Sequence, residues 1–468
     1  MKNSTAQTRM LPARWAVDEF GAADLGNAIR TARLVAMAAR AAETPGGRLT
    51  SVFNTRAALE GAYRLVENDA VPDKDIAEAA HAACARRCAG LPLVLVPMDG
   101  CTLTLTDTTA AKGFGKVGTA ETRARGIEVM NAIAVTPEGT PLGLCGQVWW
   151  TRRDEPVSIP SHRRRLHEKE TRYWIKGFDE VNAAFVAAGV TTPRWFQVDA
   201  GADFREWLSL AYGTEHHITV RAAQDRCIDE ADARLWEFVG ARAPLGRIEV
   251  KVPRGRKRKQ RRAEIELKSC PVTLRLPGGL GPVTLWAVLA TEVETTPQAE
   301  EPIEWLLLTN MDVKGFDDAQ LVVYAYSQRW RVEDFHKSWK SVCRVEDSQL
   351  EVTAFKSWAT ILASVAMRIE RLKHLARNEP EKPATVELSD VEVEATLVLY
   401  RSYNDRPPKD YVEGRVPTIA QAVNWIAELG GYTGPKRSHG PPGTIVIGRG
   451  LARMEIAAQV LTGIARRR

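Results

Sequence analysis

Two short apolar runs, in separate parts of the chain, each stop at an aspartate. Residues 91–98 precede Asp99, and residues 195–198 precede Asp199. Apolar runs of this length with polar ends are typical of buried strands. One such aspartate means little, because strands often end in polar residues. Two of them, followed by a helix that carries a glutamate, predict an α/β domain in which carboxylates from separate elements meet.

Phosphoryl transfer with two metal ions is a reaction that needs carboxylates from separate elements. One ion polarises the attacking oxygen and the other stabilises the leaving oxygen, and both prefer hard oxygen ligands. Asp107 and Asp203 are local rivals of the two aspartates, because each lies close by in a less apolar run. The sequence therefore offers a first and a second metal ligand, with one alternative for each.

The rest of the chain divides by its hydrophobic pattern. Apolar residues at helical spacing within 22–40, and a second helix that Thr55 can cap, predict a helical N-terminal region. Residues 245–310 alternate in a way that predicts antiparallel strands. Further helices are predicted at 317–340, at 355–375 and after 385.

The most informative segment is a predicted helix with five polar side chains on one face. At about 100° per residue these side chains fall within an arc of about 80°. They are Tyr326, Arg329, Glu333, Lys337 and Lys340. A carboxylate ringed by three cations and a tyrosine suits a metal ligand flanked by groups that bind phosphate.

A salt-bridged surface helix would carry similar charges. Glu333 and Lys337 have the spacing of an i,i+4 ion pair, so the pattern alone leaves both interpretations open. Phe335 and Trp339 point the opposite way from the polar face and can anchor the helix in a core. Asp334 lies about 100° around the helix from Glu333 and is the poorer ligand candidate.

The charge balance favours polyanion binding weakly, and the clustering of basic residues favours it more. Among 468 residues, 64 are lysine or arginine and 58 are acidic, giving a net charge of +6. Eight of the twelve residues at 251–262 are basic, and further clusters lie at 163–165 and 466–468. Such clusters can neutralise phosphates, although each one alone is equally typical of a solvated loop or tail.

Other classes of protein are disfavoured. No run approaches the roughly 18 apolar residues of a membrane span, and the N-terminus has no apolar core of signal-peptide length. Seven cysteines, without a CxxC pair, predict reduced thiols. Cys84 and Cys88 are four residues apart but have no second ligand pair nearby, which disfavours a structural zinc site.

The polar helix resembles the signature of a known enzyme family. It matches the Y-(2)-R-(3)-E-(6)-K pattern of the IS-four family of cut-and-paste DDE transposases, with Tyr326, Arg329, Glu333 and Lys340 at the four positions. Other segments that are similar to the family lie at 30–35, 60–64, 149–150, 198–203 and 304–309. The similarity runs along most of the chain and is weakest after about residue 385.

The resemblance implies an α/β fold with an RNase H-like mixed-sheet catalytic core, an inserted antiparallel β-domain, and helical N- and C-terminal domains. The implied division is a DNA-binding domain at 1–70, a catalytic domain at 71–375 with the insertion at about 230–310, and a dimerisation region at 376–468. The spacing between Asp199 and Glu333 leaves room for the insertion.

By the same resemblance, Asp99, Asp199 and Glu333 hold two Mg²⁺ ions, for which Mn²⁺ can substitute. The residues expected to bind DNA are Tyr326, Arg329, Lys337, Lys340, Arg221, Arg30 and Arg33. Trp305 and Trp330 match tryptophans that handle a flipped base during hairpin formation, which fits the stacking of an extruded base on an aromatic ring. On its sequence alone, Trp305 is better interpreted as a core residue of a strand.

The implied reaction begins with a nick at the transposon end. The freed 3′-hydroxyl forms a hairpin with the opposite strand, water reopens the hairpin, and the 3′-hydroxyl then attacks target DNA. Each step is a phosphoryl transfer, so one metal pair can serve them all. The expected partners are double-stranded end repeats and target DNA, together with a second copy of the chain in a synaptic dimer. No membrane partner is expected, and the expected location is the bacterial cytoplasm, at the nucleoid.

Two alternatives stay open. An RNase H-like metal-dependent nuclease would cut DNA without strand transfer, and the carboxylates do not distinguish it from a transposase. A catalytically silent DNA-binding protein is the other alternative, although it has no chemical need for all three carboxylates. Gly100 and Cys101 follow the first aspartate where relatives often carry threonines, so the neighbours of that carboxylate depart from the family pattern.

Overall fold

The N-terminal part of the chain is helical. The computed structural model describes residues 13–119, 122–152, 160, 163–252, 261–293, 300–434 and 440–465. Its first helices are α1 (Arg14–Phe20), α2 (Ala28–Glu43), α3 (Leu49–Val52), α4 (Arg56–Val66) and α5 (Asp73–Arg87). The side chains of Asn27 and Thr55 accept backbone N–H groups at the starts of α2 and α4. The helix cap predicted at Thr55 is therefore confirmed.

A mixed sheet follows these helices. Its first six strands are β1 (Val94–Leu105), β2 (Gly115–Lys116), β3 (Arg125–Val135), β4 (Pro141–Trp150), β5 (Arg194–Val198) and β6 (His217–Arg221). The helices α6 (Arg172–Ala187) and α7 (Arg205–Gly213) come between β4 and β6 in the chain. Strands β1, β5 and β6 are parallel, while β3 is antiparallel to β1 and β4. The spatial order is β4-β3-β1-β5-β6, and the predicted α/β class is confirmed.

The first apolar strand does not end at its aspartate, which corrects the sequence prediction. Strand β1 continues to Leu105, because its antiparallel pairing with β3 continues past Asp99, which lies opposite Asn131. Its parallel pairing with β5 stops at Pro97. Asp99 therefore lies where β1 has lost one neighbouring strand and kept the other, which leaves room beside it for side chains from other elements.

The later strands are antiparallel, as the alternating pattern predicted. After α8 (Leu235–Gly240) come β7 (Gly246–Val252), β8 (Arg261–Arg275), β9 (Pro282–Glu292) and β10 (Glu304–Thr309). Strand β10 pairs with β9 on one side and with β6 on the other. These four strands therefore extend the first sheet. Most of the basic segment, at 253–260, and the terminal cluster at 466–468 lie outside the described residues.

Six helices complete the described chain. They are α9 (Phe316–Ser327), α10 (Trp330–Ser341), α11 (Val352–Asn378), α12 (Asp390–Asn404), α13 (Ile419–Leu429) and α14 (Thr444–Ala465). Buried residues lie on every side of α11, as expected of a helix at the centre of a core. Helices α2, α4, α5, α10 and α14 all pack against it. The N- and C-terminal helices thus share one apolar core.

The helix predicted at 317–340 is interrupted. Between α9 and α10, the N–H groups of Gln328 and Arg329 donate to carbonyls three residues earlier, which tightens the turn. Tertiary contacts accompany the break, because Tyr326 packs edge-on against Trp305 and Arg329 donates to carboxylates on β1 and α10. The angles predicted for one unbroken helix are therefore wrong for Tyr326 relative to the residues of α10.

Two expectations from composition can be compared with the structure. No helix of the described ranges is both long and apolar enough to cross a membrane. All seven cysteines are free, and every one except Cys227 is buried. The thiols are therefore reduced in this structure, as predicted.

Candidate active site and DNA-binding residues

One arginine joins two of the three predicted catalytic carboxylates. Arg329, at the start of α10, donates from Nη1 to Asp99 Oδ2 at 3.0 Å and from Nη2 to Glu333 Oε1 at 2.7 Å. The other oxygen of Asp99 accepts the N–H of Gly100 at 2.8 Å. Asp99 on β1 and Glu333 on α10 are thus brought together, although 234 positions (333 − 99) separate them in the chain.

Asp199 follows β5 directly and begins a short 3₁₀ turn. Its Oδ1 accepts the N–H of Gly201 at 2.7 Å, which fixes the carboxylate at the end of the strand next to β1. The charge of Asp199 reaches Asp99, since it contributes to the pKa of that residue. The structure therefore places all three predicted carboxylates in one region, from two adjacent strands and one helix.

Burial and neighbouring negative charges disfavour the ionised form of Asp99. Burial raises the pKa of Asp99 to about 6; the Arg329 cation opposes this, while the charges of Asp199 and Glu333 add to it. Carboxylate oxygens from three residues are the hard donor set that a divalent cation such as Mg²⁺ prefers. The residues present therefore fit the predicted metal.

The oxygens of Asp99, Asp199 and Glu333 lie farther apart than the ligands of a single metal ion would. Among the described residues, the one group of potential metal ligands whose atoms all lie within 4.8 Å of one another is Asp334, Glu370 and His374. In that group the Lys373 ammonium pairs with Glu370 and lies 3.6 Å from Asp334 Oδ2. A lysine thus takes the place that a cation would need, and we interpret the group as a buried ion-pair cluster.

Tyr326 lies at the inner end of the same region. Burial raises the pKa of its hydroxyl. The positive charges of Arg329 and Arg221 oppose this rise, and the negative charge of Asp199 adds to it, so all three groups lie near the hydroxyl. Its ring meets Trp305 at 5.2 Å between centroids and 72° between planes. Tyr326 is only 4% exposed, so in this structure its contacts are with protein and a DNA contact would require it to move.

The two predicted lysines differ in their surroundings. Lys337 is exposed on α10 and can meet a phosphate directly. Lys340 is half-buried; it donates to the carbonyl of Thr102 at 2.6 Å and lies 3.4 Å from Glu346. Lys340 thus ties α10 to β1, the strand of Asp99, in addition to any contact with DNA.

Two further predicted contacts lie beside the carboxylates. Arg221 ends β6 and is exposed. Trp330 begins α10 with its ring 55% exposed, and the Arg329 guanidinium lies 5.5 Å from the ring centroid. An exposed indole next to the three carboxylates could stack on a base.

The rival aspartates have structural contacts instead. Both side-chain oxygens of Asp203 are used, by the N–H groups of Ala223 and Gln224 and by Arg226. Asp107 accepts the N–H of Lys112 and lies 3.7 Å from Arg125. The carboxylates of Asp203 and Asp107 are thus engaged in local structural contacts.

A polar chain that sequence reasoning missed lies behind the carboxylates. His336 on α10 meets Asn131 Nδ2 at 3.0 Å, Asn131 accepts from Gln147 at 2.9 Å, and Gln147 accepts from Thr360 at 2.6 Å. Burial, and then Lys340 and Arg329, lower the pKa of His336 to about 3, so the ring is neutral. The signal in the sequence was an asparagine and a glutamine inside two apolar strands.

The two arginines predicted in the N-terminal region also differ. Arg30 Nη1 donates to the carbonyls of Leu25 at 3.0 Å and Ala70 at 3.2 Å, so it joins the two ends of the helical region. Arg33 is exposed and lies over Gly61, where an added Cβ would meet its Nη1 at 2.2 Å. Arg33 is therefore the better placed of the two to bind DNA.

Comparison with known families bears on this region. Residues 12–71 match the family model described as transposase DNA-binding. The match spans α1 to α4 and includes both arginines. It supports a transposase that binds DNA, and so supports DNA as a partner of the chain.

Proposed function

We propose that this chain is a metal-dependent DDE transposase of the IS-four type, which cuts transposon ends from DNA and joins them to a target. The observation that carries the proposal is the meeting of Asp99, Asp199 and Glu333 in one electrostatic site. The match of residues 12–71 to a transposase DNA-binding family supports the same function. The strand order β4-β3-β1-β5-β6, with β3 antiparallel, supports an RNase H-like core.

The three carboxylates are the proposed ligands of two Mg²⁺ ions. When bound, the ions supply Lewis acidity to the attacking and leaving oxygens of a phosphoryl transfer. Around them the chain holds its own groups in place. The Gly100 N–H orients one oxygen of Asp99, and the Gly201 N–H orients one oxygen of Asp199. Such fixed ligands lower the reorganisation that catalysis requires.

The DNA is proposed to lie along the exposed face at the start of α10. Lys337 and Arg221 are exposed there and supply charge to the backbone, while the exposed ring of Trp330 offers a stacking surface for an extruded base. Trp305 supports Tyr326 from behind and has an indirect part in the hairpin step. A synaptic dimer and a cytoplasmic location at the nucleoid follow from the resemblance and belong to the proposal.

A cleavage assay tests the proposal. The purified full chain is mixed with a duplex that carries the inverted repeats flanking its own gene, with and without Mg²⁺, and the products are resolved on denaturing gels. We expect Mg²⁺-dependent nicking at the repeat boundary, then a hairpin and a joined product. A duplex with a scrambled repeat is the control. Cutting without joining would identify a nuclease, and binding without cutting would identify a silent DNA-binding protein.

A further inference from the structure

The Arg329 guanidinium occupies the space between two proposed metal ligands. Its two nitrogens hydrogen-bond Asp99 Oδ2 and Glu333 Oε1, which belong to two of the three carboxylates that would hold the metal. The side chains of Arg329 and Asp99 are only 12% and 18% exposed. In such surroundings an ion pair is screened little by water.

A metal ion held by these carboxylates would therefore compete with the arginine for them. Arg329 cannot leave by losing its proton, because a guanidinium stays charged in proteins; the nearby carboxylates and Tyr326 raise its pKa further against the opposing effect of burial. It can leave only for another anion. A backbone phosphate, which accepts two parallel hydrogen bonds from a guanidinium, is a strong competitor for it.

One neighbour of the guanidinium is exposed to solvent. The exposed ring of Trp330 lies beside it, and Arg329 is the N-cap residue, immediately before the first residue of α10. A rotation of this one side chain toward the exposed indole would carry its charge from the carboxylates to a phosphate, without any movement of the backbone.

We propose that Arg329 is the built-in counter-cation of the carboxylate site, and that its transfer to a DNA phosphate couples metal binding to DNA binding. The proposal rests on the proposed function and adds regulation to the same site. Before DNA arrives, the arginine holds Asp99 and Glu333 and keeps metal affinity low. By thermodynamic linkage, DNA then tightens metal binding, and metal tightens DNA binding by the same factor.

Binding of Mn²⁺ to the DNA-free full chain, measured from the free ion by electron paramagnetic resonance, tests the exchange. We expect Arg329→Met to bind Mn²⁺ about tenfold more tightly than the wild type, a factor typical of coupled sites. The matched control is Arg331→Met, which removes the same charge two positions away. Arg331 donates to the carbonyl of Gly139 and pairs with Asp334, which is not a proposed metal ligand, so the Mn²⁺ affinity of Arg331→Met should match that of the wild type.

A second variant distinguishes a failure of this proposal from a failure of the proposed metal site. Adding Glu333→Gln to Arg329→Met should abolish the gain in Mn²⁺ affinity. If the gain is absent while Mn²⁺ binding still depends on Glu333, the exchange is wrong and the metal site stands. If Mn²⁺ binding is insensitive to Glu333 in every background, the proposed metal site itself is wrong.

The DNA arm uses a duplex that ends at the repeat boundary, so that no scissile bond remains. We expect it to tighten Mn²⁺ binding to the wild type about tenfold, and to have a clearly smaller effect on Arg329→Met, after subtraction of Mn²⁺ bound by the duplex alone. Equal tightening in both proteins would show that the DNA itself, and not release of Arg329, supplies the coupling.

Discussion

Glu333 and Asp334 are neighbours in the sequence but belong to different ionic environments. Glu333 accepts from Arg329, the residue that also bonds Asp99. Asp334 lies 3.6 Å from the Lys373 ammonium and 3.4 Å from His374 Nε2, both on α11. Burial alone would raise the pKa of Asp334, but His374 and Lys373 hold it at about 2. Glu333 thus belongs to the proposed metal site, whereas Asp334 binds α10 to α11 through ion pairs.

This difference predicts opposite effects of two conservative substitutions. Glu333→Gln should lower cleavage at least about a hundredfold, because loss of a metal ligand removes several kcal/mol of transition-state stabilisation, and should leave end binding intact. Asp334→Asn should retain cleavage and lose on the order of 1 kcal/mol of stability, a figure reduced because its side chain is 41% exposed. Gel shift, cleavage rate and thermal midpoint distinguish them. Equal loss of cleavage in both variants would count against Glu333 as a ligand.

The two N-terminal arginines predict a second pair of outcomes. Arg33→Gln should weaken DNA binding and lower the slope of log affinity against log salt by about one, the effect of losing one phosphate contact, with an unchanged thermal midpoint. Arg30→Gln should lower the free energy of unfolding by about 1 kcal/mol, and with it the thermal midpoint, because two backbone carbonyls lose the guanidinium that donates to them. Titrations at several salt concentrations check both. An unchanged salt slope for Arg33→Gln would exclude a phosphate contact.

The two tryptophans should separate stability from base handling. Trp330→Ala removes an exposed ring, so we expect a stability change within about 0.5 kcal/mol, normal nicking and less hairpin. Trp305→Ala removes a ring packed on Tyr326, so we expect a stability loss of about 2 kcal/mol, below that of a fully buried ring, and again less hairpin. Denaturing gels give the hairpin yield. A normal yield from Trp330→Ala would refute its role in stacking.

The polar chain behind the carboxylates predicts a large effect from one buried amide. Asn131 is 0% exposed, and Asn131→Leu would leave His336 and Gln147 without their partner. Each unpaired group costs about 1–3 kcal/mol, so we expect a marked fall in thermal midpoint and in cleavage rate. Ala132→Val, at the next position of the same strand, controls for crowding. A thermal midpoint equal to that of the wild type would show that these buried hydrogen bonds contribute no stability.

The C-terminal helices predict a pH effect. Arg368 pairs with both Glu392 and Glu455. Burial raises the pKa of Glu455 to about 7; the charge of Arg368 opposes this rise, and the charge of Glu392 adds to it. The folded chain therefore keeps this proton up to about pH 7, whereas the unfolded chain loses it near the ordinary value of 4.5, so this group makes stability fall as pH rises between the two values.

Glu455→Gln should remove that fall. Relative to the wild type, the variant should gain on the order of 2 kcal/mol between pH 5 and pH 8, measured as the difference in thermal midpoints at each pH. Glu392→Gln should remove part of the same fall, because the charge of Glu392 is one of the causes that raise the pKa of Glu455. A constant difference for Glu455→Gln would contradict the assignment.

Local signals in the sequence predicted local structure well. The Thr55 cap is correct because a helix start depends on a few neighbouring residues. Asp99 and Asp199 could be found because charged residues stand out against apolar strands. The break between α9 and α10 could not be predicted, since no glycine or proline marks it and the contacts that accompany it come from β1 and β10. The extent of β1 depends likewise on its pairing with β3.

The joining of β10 to both β6 and β9 has a consequence for chimeric proteins. A segment that folded as a separate module could be exchanged between related proteins at its two connections. Here, removal of β7 to β9 would expose the backbone donors and acceptors of β10 along one whole edge, and an exposed edge invites pairing with other chains. A usable exchange would have to carry β10 along and rebuild its register with β6, in which Leu307 lies opposite Arg221.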